Sequence, residues 1–214
     1  MLHQHSHAGA VFLPLNYKKN QPMKNVISFV SALMIALACS LTIQSCENKP
    51  KDSAEVADAE NDKKFETRES EKNVNLVENS VECSYAVIAL SQLAEEKATR
   101  KDVKAIAKEI KKEHEMMLVD LKGVAEKEGI SIATGPTHEA EDKVEDLSEK
   151  DADKFDKKFV NKLIDKHKKA ISDLEASLGN DKIHEVEKEW ANKTLPGLRT
   201  HLAKLEAIDK EITN

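Results

Sequence analysis

The sequence predicts an all-α protein whose main domain is a four-helix bundle. Of 214 residues, 34% are charged and 4% are aromatic, and the chain has only six glycines and five prolines. Long helices are rich in Lys, Glu, Ala and Leu, whereas β-rich domains need more aromatic and β-branched residues. From about Val74 onward, apolar residues recur at three- and four-residue intervals. This spacing is typical of one buried face on each helix.

An export signal precedes the domain. Residues 26–43 carry no charge, Lys24 lies just before them, and the apolar run ends at the tetrapeptide IQSC. A short basic start, an apolar run and a small-residue exit are typical of a secretory signal. Ile43 and Ser45 match a bacterial lipobox at positions −3 and −1. We therefore predict that the chain is cleaved before Cys46 and that the thiol of Cys46 carries a lipid.

Two other interpretations of the leader, residues 1–45, stay open. It is either an uncleaved anchor, because a run of roughly 18 apolar residues is near the lower limit for crossing a bilayer, or a cleaved signal without lipid. Cys39 is a second lipidation candidate. Met23 is an alternative start to Met1, which would make the front of the leader an upstream extension. A lipid anchor places the protein in the bacterial cell envelope, at the outer membrane, facing the periplasm or the exterior.

A polar segment separates the leader from the domain. Residues 46–72 contain few apolar side chains, too few to offset the entropy of ordering them, so we predict a disordered tether. The bundle domain is then residues 73–212. The formal net charge of the chain is −6. Because an acidic body repels phosphates, nucleic acid is excluded as a partner.

Four amphipathic helices are predicted in this domain. The first ends near Thr99, and the second ends at Gly129, a typical C-terminal cap. The third begins at the capping box SEKD, with Ser148 as its N-cap, and ends at Gly179. The fourth contains Pro196, and an interior proline kinks or breaks a helix.

The connection between the second and third helices is long. Gly135-Pro136 marks a turn, and Thr137 starts a short helix. At roughly 20 residues, the connection can cross the length of the bundle and make these two helices parallel, as in ferritin-like folds. Without the crossover the topology is simple up-and-down. We predict a ferritin-like four-helix bundle, and the sequence does not decide between the crossover and the up-and-down topology.

Three segments carry a resemblance to a known family. The stretches LSQLAEEKATRKDVKAIAKEIKKEHEMM, LSEKDADKFDKKFVNKLIDKHKKAI and WANKTLPGLRTHL resemble the domain of unknown function 4142 family, over about residues 74–208. The most specific marks are His114, Phe155-Asp156, His167 and Leu195-Pro196 with His201. The resemblance implies a ferritin-like bundle and an envelope location, and it implies no established activity. Members often have a glutamate where Val87 stands, which weakens the case for a metal centre.

Three histidines, His114, His167 and His201, lie on the apolar faces of three helices. They are candidate ligands for a divalent metal ion, with a carboxylate from Glu113 or Asp165. Di-iron bundles use Glu-x-x-His pairs, but the residues three positions earlier are Lys111, Ile164 and Leu198, so a ferroxidase is disfavoured. Two alternatives are that each ring hydrogen-bonds a neighbour in the core, or that the rings sense protons, since the histidine pKa is ~6.5.

The position of each ring along its helix tests whether the three can meet. At ~1.5 Å per residue, His167 lies ~19 Å and His201 ~32 Å from the turn at residues 179–180. His114 lies near the middle of its helix. We therefore expect His114 and His167 to be close, with His201 at another level.

These observations favour a non-enzymatic lipoprotein of the cell envelope with a binding or stress-related role. One alternative is a metal-binding ferritin-like oxidoreductase or metal store. Another is a helical interaction module whose protein partner the sequence does not specify. We find no phosphate-binding glycine loop, nucleophile elbow or paired CxxC motif. His138 and His184, on a connector and a polar face, are predicted to be solvated.

Replacing Cys46 with Ala should release the protein from the membrane or leave an unprocessed precursor. The physical reason is that stable anchoring needs the acyl chains on that thiol. Fractionation of membranes with a blot for the protein measures it, with Cys39→Ala as the control. A Cys46→Ala protein that is processed and membrane-bound like the wild type would show that the leader does not end in a lipidated cysteine.

Overall fold

A computed structural model describes residues 50–213, which form helices and no strand. The six helices are α1 Ser53–Lys64, α2 Arg68–Lys97, α3 Lys101–Glu128, α4 His138–Ser148, α5 Ala152–Leu178 and α6 Glu185–Thr213. The all-α prediction is confirmed for this part of the chain. The four long helices and the short helix after Thr137 were predicted, and α1 was not. The predicted leader and Cys46 lie outside the described residues. Within 50–213, none of the helices combines the length and hydropathy needed to cross a membrane.

Two apolar clusters fill the interior between the four long helices. The first includes Val77, Leu121, Leu174, Trp190 and Leu198, and the second includes Leu90, Ile106, Phe159, Leu163 and Leu205. Most of these side chains are almost fully buried, and each such burial stabilises the fold by about 1.5–3 kcal/mol. These clusters are the buried faces that the three-four periodicity predicts.

The order in which each helix meets the two clusters gives its direction. α2 and α6 run from the first cluster to the second, whereas α3 and α5 run from the second to the first. α2 packs on α3 and α5, and α6 packs on the same two helices with little contact to α2. All four adjacent pairs are therefore antiparallel, and α3 is parallel to α5. The segment between α3 and α5 crosses the length of the bundle, so of the two predicted topologies the crossover is the one adopted.

The predicted disordered tether is wrong from Ser53 onward. Asp52 caps α1 by accepting from the amides of Ala54 and Glu55, and α2 begins at Arg68. α1 contacts the rest of the domain through Ala54, which belongs to the first apolar cluster, and through Asn61, which is 2% exposed. α1 forms without a wide apolar stripe because its cap and its hydrogen bonds to the domain add to this small apolar burial. The folded domain therefore begins before residue 73, the start predicted from the polarity of this segment.

Asn61 is hydrogen-bonded to the loop after α3. Its amide donates to the carbonyl oxygen of Ser131 at 2.7 Å, and its side-chain oxygen accepts from the amide of Ser131 at 2.8 Å. The same amide donates to Glu78 of α2 at 2.6 Å. These three bonds satisfy polar groups that would otherwise be buried without partners. They make α1 part of the folded domain.

Several predicted helix ends are confirmed and one is wrong. Gly129 ends α3 in the left-handed conformation, with φ 70°, which a glycine adopts without strain. Thr137 caps α4. Ser148, however, is the last residue of α4 rather than an N-cap, and Asp151 precedes α5. Pro196 does not end α6, which is continuous from Glu185 to Thr213.

A side chain of α5 caps the start of α3. Asp156 is 5% exposed and accepts from the amides of Thr99 at 3.0 Å and Arg100 at 2.9 Å, and from the Thr99 hydroxyl at 2.5 Å. The first amides of a helix have no acceptor within the helix, and Arg100 offers no side-chain cap. Asp156 supplies the missing acceptor and so joins the α2–α3 turn to α5.

Replacing Asp156 with Ala should lower the free energy of unfolding by about 2–3 kcal/mol, because bonds to an ionised acceptor contribute ~1.5–3 kcal/mol and buried donors lose their partner. Urea unfolding measures it. Asp165→Ala, at an exposed position on the same helix, is the control and should change stability by about 0.5 kcal/mol or less. Equal midpoints for the two variants would contradict the capping role.

Candidate metal centre

A layer of three imidazole rings separates the two apolar clusters. Each histidine lies one helical turn after an apolar residue. These pairs are Ile110 and His114 on α3, Leu163 and His167 on α5, and Leu198 and His201 on α6. On each helix, the apolar residues before the histidine belong to one cluster and those after it belong to the other. The rings therefore fill the middle of the bundle.

The three rings are buried and in contact. His114, His167 and His201 are 3%, 1% and 0% exposed. Their ring centroids are 5.4 Å apart for His114 and His167, 5.9 Å for His114 and His201, and 5.3 Å for His167 and His201. One nitrogen from each ring lies within 4.8 Å of the other two. The predicted proximity of His114 and His167 is confirmed.

The prediction that His201 lies at another level is wrong. The predicted turn between the two helices is at residues 179–180, but α5 ends at Leu178 and α6 begins only at Glu185. Counted from these ends, His167 and His201 lie about 17 and 24 Å along their helices, so the offset falls from ~13 to about 7 Å. Side chains lean toward the N-terminus of their own helix. In an antiparallel pair this brings the two rings toward each other.

Hydrogen bonds determine which nitrogen of His167 is free to bind a ligand. Its Nδ1 lies 2.8 Å from the carbonyl oxygen of Leu163. A carbonyl oxygen only accepts, so Nδ1 carries the proton and donates it. In the neutral ring Nε2 then has a lone pair. This lone pair faces Nδ1 of His201 at 3.3 Å.

The outer nitrogen of His201 faces a carboxylate. His201 Nε2 lies 2.9 Å from Glu113 Oε2, although the ring N–H is not aligned for a hydrogen bond there. The neutral His201 ring has one proton but faces two acceptors, the Glu113 carboxylate and the lone pair of His167 Nε2, which lies within hydrogen-bonding distance of Nδ1. One of the two contacts therefore lacks a proton. A cation between the inner nitrogens would satisfy both contacts, with the His201 proton on Nε2 beside Glu113.

His114 completes the layer with two nitrogens that have no hydrogen-bond partner. A buried polar atom without a partner costs about 1–3 kcal/mol. Burial lowers the pKa of His114 well below its ordinary value of 6.5, and the neighbouring rings of His167 and His201 act in the same direction. The ring is therefore neutral at pH 7, and at least one of its nitrogens is available as a ligand.

Burial also lowers the pKa of the other two rings. It lowers the pKa of His167 to about 4, although the bond to Leu163 acts in the opposite direction. It lowers the pKa of His201 to about 4, although Glu109 acts in the opposite direction. Neutral imidazole is the form that binds metal, so the layer presents three neutral ligands at pH 7.

Of the carboxylates considered from the sequence, only Glu113 belongs to this layer. Asp165 is exposed on α5. Val87, at the position where a glutamate was considered, lies in the second apolar cluster. The polar residue that α2 has near the layer is Ser84, whose hydroxyl donates to the carbonyl oxygen of Ser80 at 2.8 Å. Glu109, one turn before Glu113, was not among the predicted residues. One ligand atom from each of Glu109, Glu113 and His201 lies within 4.8 Å of the other two. The i,i+4 spacing of these glutamates on α3 is the signal that could have revealed it.

A cavity of about 670 Å³ reaches the layer from one side. Its walls come from α2, α3, α5, α6 and the start of α4, and include His114, Met117 and Trp190. Exposed residues such as Lys72 and Lys169 line it as well. The cavity therefore connects His114 with solvent. Cys83, the free thiol of the described residues, also lines it, and burial raises the pKa of that thiol.

The spacing of two of the ring nitrogens fits a tetrahedral metal site. With metal–nitrogen bonds of ~2.0–2.1 Å, two ligand nitrogens in a tetrahedron are about 3.3–3.4 Å apart. The distance between His167 Nε2 and His201 Nδ1 is 3.3 Å. Histidine ligands usually donate their other N–H to a carbonyl or carboxylate. Leu163 and Glu113 are positioned for this role.

The fold and this layer define the class of protein: an all-α helical bundle with three buried, convergent histidines. The family model for a domain of unknown function, DUF4142, matches residues 57–208. The chain belongs to this family, as the resemblance predicted. Among curated proteins there is no match.

A solved structure has a similar fold. It is a DUF305 fragment from Deinococcus radiodurans, with a TM-score of 0.58 and 14% sequence identity. The alignment covers 65% of this chain and 96% of that chain. At this identity the similarity concerns the fold alone.

In the metal-free protein, stability should fall as the pH is lowered from about 6.5 toward 4. The unfolded chain protonates its histidines near pH 6.5, whereas burial holds the folded pKa of His167 and His201 at about 4. The unfolded state therefore binds more protons across this window, which destabilises the fold by up to about 3 kcal/mol for each ring. Urea unfolding at several pH values measures the slope. His167→Gln should reduce it, and an unchanged slope would contradict burial of a neutral ring.

Proposed function

We propose that this protein binds a divalent transition-metal ion in the cell envelope, through His114, His167 and His201. The observation that carries the proposal is the arrangement of polar atoms around two of the rings. The outer nitrogens of His167 and His201 face a carbonyl and a carboxylate, while their inner nitrogens face each other at 3.3 Å. This is the arrangement of histidine ligands with their supporting acceptors.

The ligand set favours an ion that prefers imidazole. Three neutral nitrogens suit Zn²⁺, Cu²⁺ or Ni²⁺ better than the hard ions Mg²⁺ and Ca²⁺, which prefer oxygen. Three protein ligands leave a fourth tetrahedral position for water or another ligand. The cavity beside His114 supports exchange at that position. We propose Zn²⁺ as the probe ion because it has no redox chemistry of its own.

The proposed location rests on the leader. An uncharged run that ends at a lipobox cysteine supports a lipid anchor on Cys46. In this setting the protein would capture or buffer metal ions outside the cytoplasm. We propose a binding role rather than an enzymatic one.

The competing oxidoreductase function has less support. A ferritin-like di-iron centre needs several inward carboxylates, whereas Val87 is part of an apolar cluster and the glutamate at the layer, Glu113, faces an outer nitrogen. An interaction module has less support as well. Among the described residues, the large exposed apolar side chains are Val56, Met116 and Val119. The apolar surface of three side chains is small compared with the surface that a stable interface buries.

Added Zn²⁺ should raise the melting temperature of the wild type, because a ligand that binds only the folded state stabilises it by ~2.7 kcal/mol at a hundredfold excess over its dissociation constant. His114→Ala and His167→Ala should lose most of this rise. His138→Ala, at a partly exposed histidine outside the layer, is the control and should respond like the wild type. Thermal unfolding after EDTA treatment and Zn²⁺ titration measures it. A wild-type melting temperature that does not change with added Zn²⁺ would exclude the site.

Replacement of Glu113 with Gln separates a supporting role from a ligand role. A supporting acceptor affects affinity by about 10–100-fold. The variant should therefore reach the same maximal rise as the wild type, but at about 10–100-fold more Zn²⁺. Complete loss of the response would mean that Glu113 itself coordinates the ion.

A further inference from the structure

A buried carboxylate without a partner lies far from the histidine layer. Glu187, in the first turn of α6, is 0% exposed, and neither of its oxygens has a hydrogen-bond partner. Removing an ionised carboxylate from water costs several kcal/mol unless a cation or hydrogen bonds compensate it. The first turn of a helix favours negative charge, but this effect is smaller than the desolvation cost.

Two more ligand groups converge on Glu187. His184 Nδ1 lies 2.7 Å from Glu128 Oε2. One ligand atom from each of Glu128, His184 and Glu187 lies within 4.8 Å of the others. Burial raises the pKa of Glu187, and the charge of Glu128 acts in the same direction, so the two carboxylates repel each other. A divalent cation would remove both the desolvation cost and the repulsion.

Three helices hold this group in place. Glu128 is the last residue of α3, and His184 immediately precedes α6. Asn73 of α2, 2% exposed, accepts from the amide of His184 at 2.8 Å and donates to the carbonyl oxygen of Lys182 at 3.1 Å. The loop before α6 is therefore anchored to a third helix. His184 was predicted to be solvated. Its side chain is 48% exposed, but its ring also contacts Glu128.

We propose that Glu128, His184 and Glu187 form a second cation site, which binds a harder divalent ion such as Mn²⁺ or Fe²⁺. Two carboxylates balance the charge of such an ion, and oxygen-rich sites suit Mn²⁺ better than all-imidazole sites do. In an octahedral site with bonds of ~2.1 Å, adjacent ligand atoms are about 3 Å apart. The 2.7 Å contact between His184 and Glu128 therefore has to widen by only a few tenths of an ångström.

The second site is separate from the histidine layer. Glu187 and His201 both lie on α6 and are about 21 Å apart along its axis. A single ion cannot contact both sites at bond lengths of ~2 Å. Solvent can reach the second site because Glu128 and His184 are partly exposed, with side chains 23% and 48% accessible. Waters can then complete the coordination.

Binding of Mn²⁺ to the full chain, purified in detergent and treated with EDTA, tests the proposal. Electron paramagnetic resonance counts the free ion, so bound Mn²⁺ appears as lost signal. Glu187→Gln and His184→Ala should weaken binding about tenfold or more, since even supporting groups contribute that much. Glu185→Gln removes an exposed charge from the same helical turn and should bind like the wild type.

The result that would overturn the second site is a wild type that takes up no Mn²⁺, or a Glu187→Gln protein that binds it as tightly as the wild type. Glu187→Gln keeps the side-chain shape and removes a buried charge, and His184 is half exposed, so at least one variant should fold. His167→Ala should leave Mn²⁺ binding unchanged while it removes the Zn²⁺ response. Failure at one site is therefore distinguishable from failure at the other.

Discussion

The burial of three uncharged imidazole rings in an apolar interior is the constraint on which the middle of this bundle depends. Each ring has two polar nitrogens, and the backbone groups of the surrounding helices are already paired with one another. Among the described residues, the carbonyl of Leu163 and the carboxylate of Glu113 lie 2.8 and 2.9 Å from the outer nitrogens of His167 and His201, respectively. The inner nitrogens of these two rings share one hydrogen bond, and neither nitrogen of His114 has a partner. The layer can therefore coordinate a cation with little rearrangement.

The same pair of antiparallel helices contributes to both proposed sites. On α3, Glu128 lies fourteen residues after His114, and on α6, Glu187 lies fourteen residues before His201. Equal spacing in opposite directions keeps the facing residues at the same level, so the register that aligns the histidines also aligns the glutamates. The ligand sets nevertheless differ. The central site is neutral, buried and nitrogen-rich, whereas the other site is anionic, partly solvated and oxygen-rich, so the two should select different ions.

Local features of the sequence predicted the long helices because the period of the apolar residues, the glycine cap at Gly129 and the Thr137 start all act within a few residues. The three failures have physical causes. α1 has no wide apolar stripe and contacts the domain through Asn61, the small side chain of Ala54 and further hydrogen bonds. Ser148 ends α4 instead of beginning α5, since the turn between the two helices falls at Glu149 and Lys150. The level of His201 was misplaced because the six residues between α5 and α6 were counted as helix.

By itself, the sequence determined that the domain is helical, that it belongs to the family its motifs resemble, and that three histidines face the interior, because helical periodicity assigns each residue to a face. Only the tertiary structure decided that the connection crosses the bundle, that all three rings meet, and that Glu113 rather than Asp165 stands beside them. These outcomes depend on loop length, helix register and the lean of side chains in antiparallel pairs. The convergence of Glu128 and Glu187 was likewise decided by packing, because residues 59 positions apart carry no local signal of their contact.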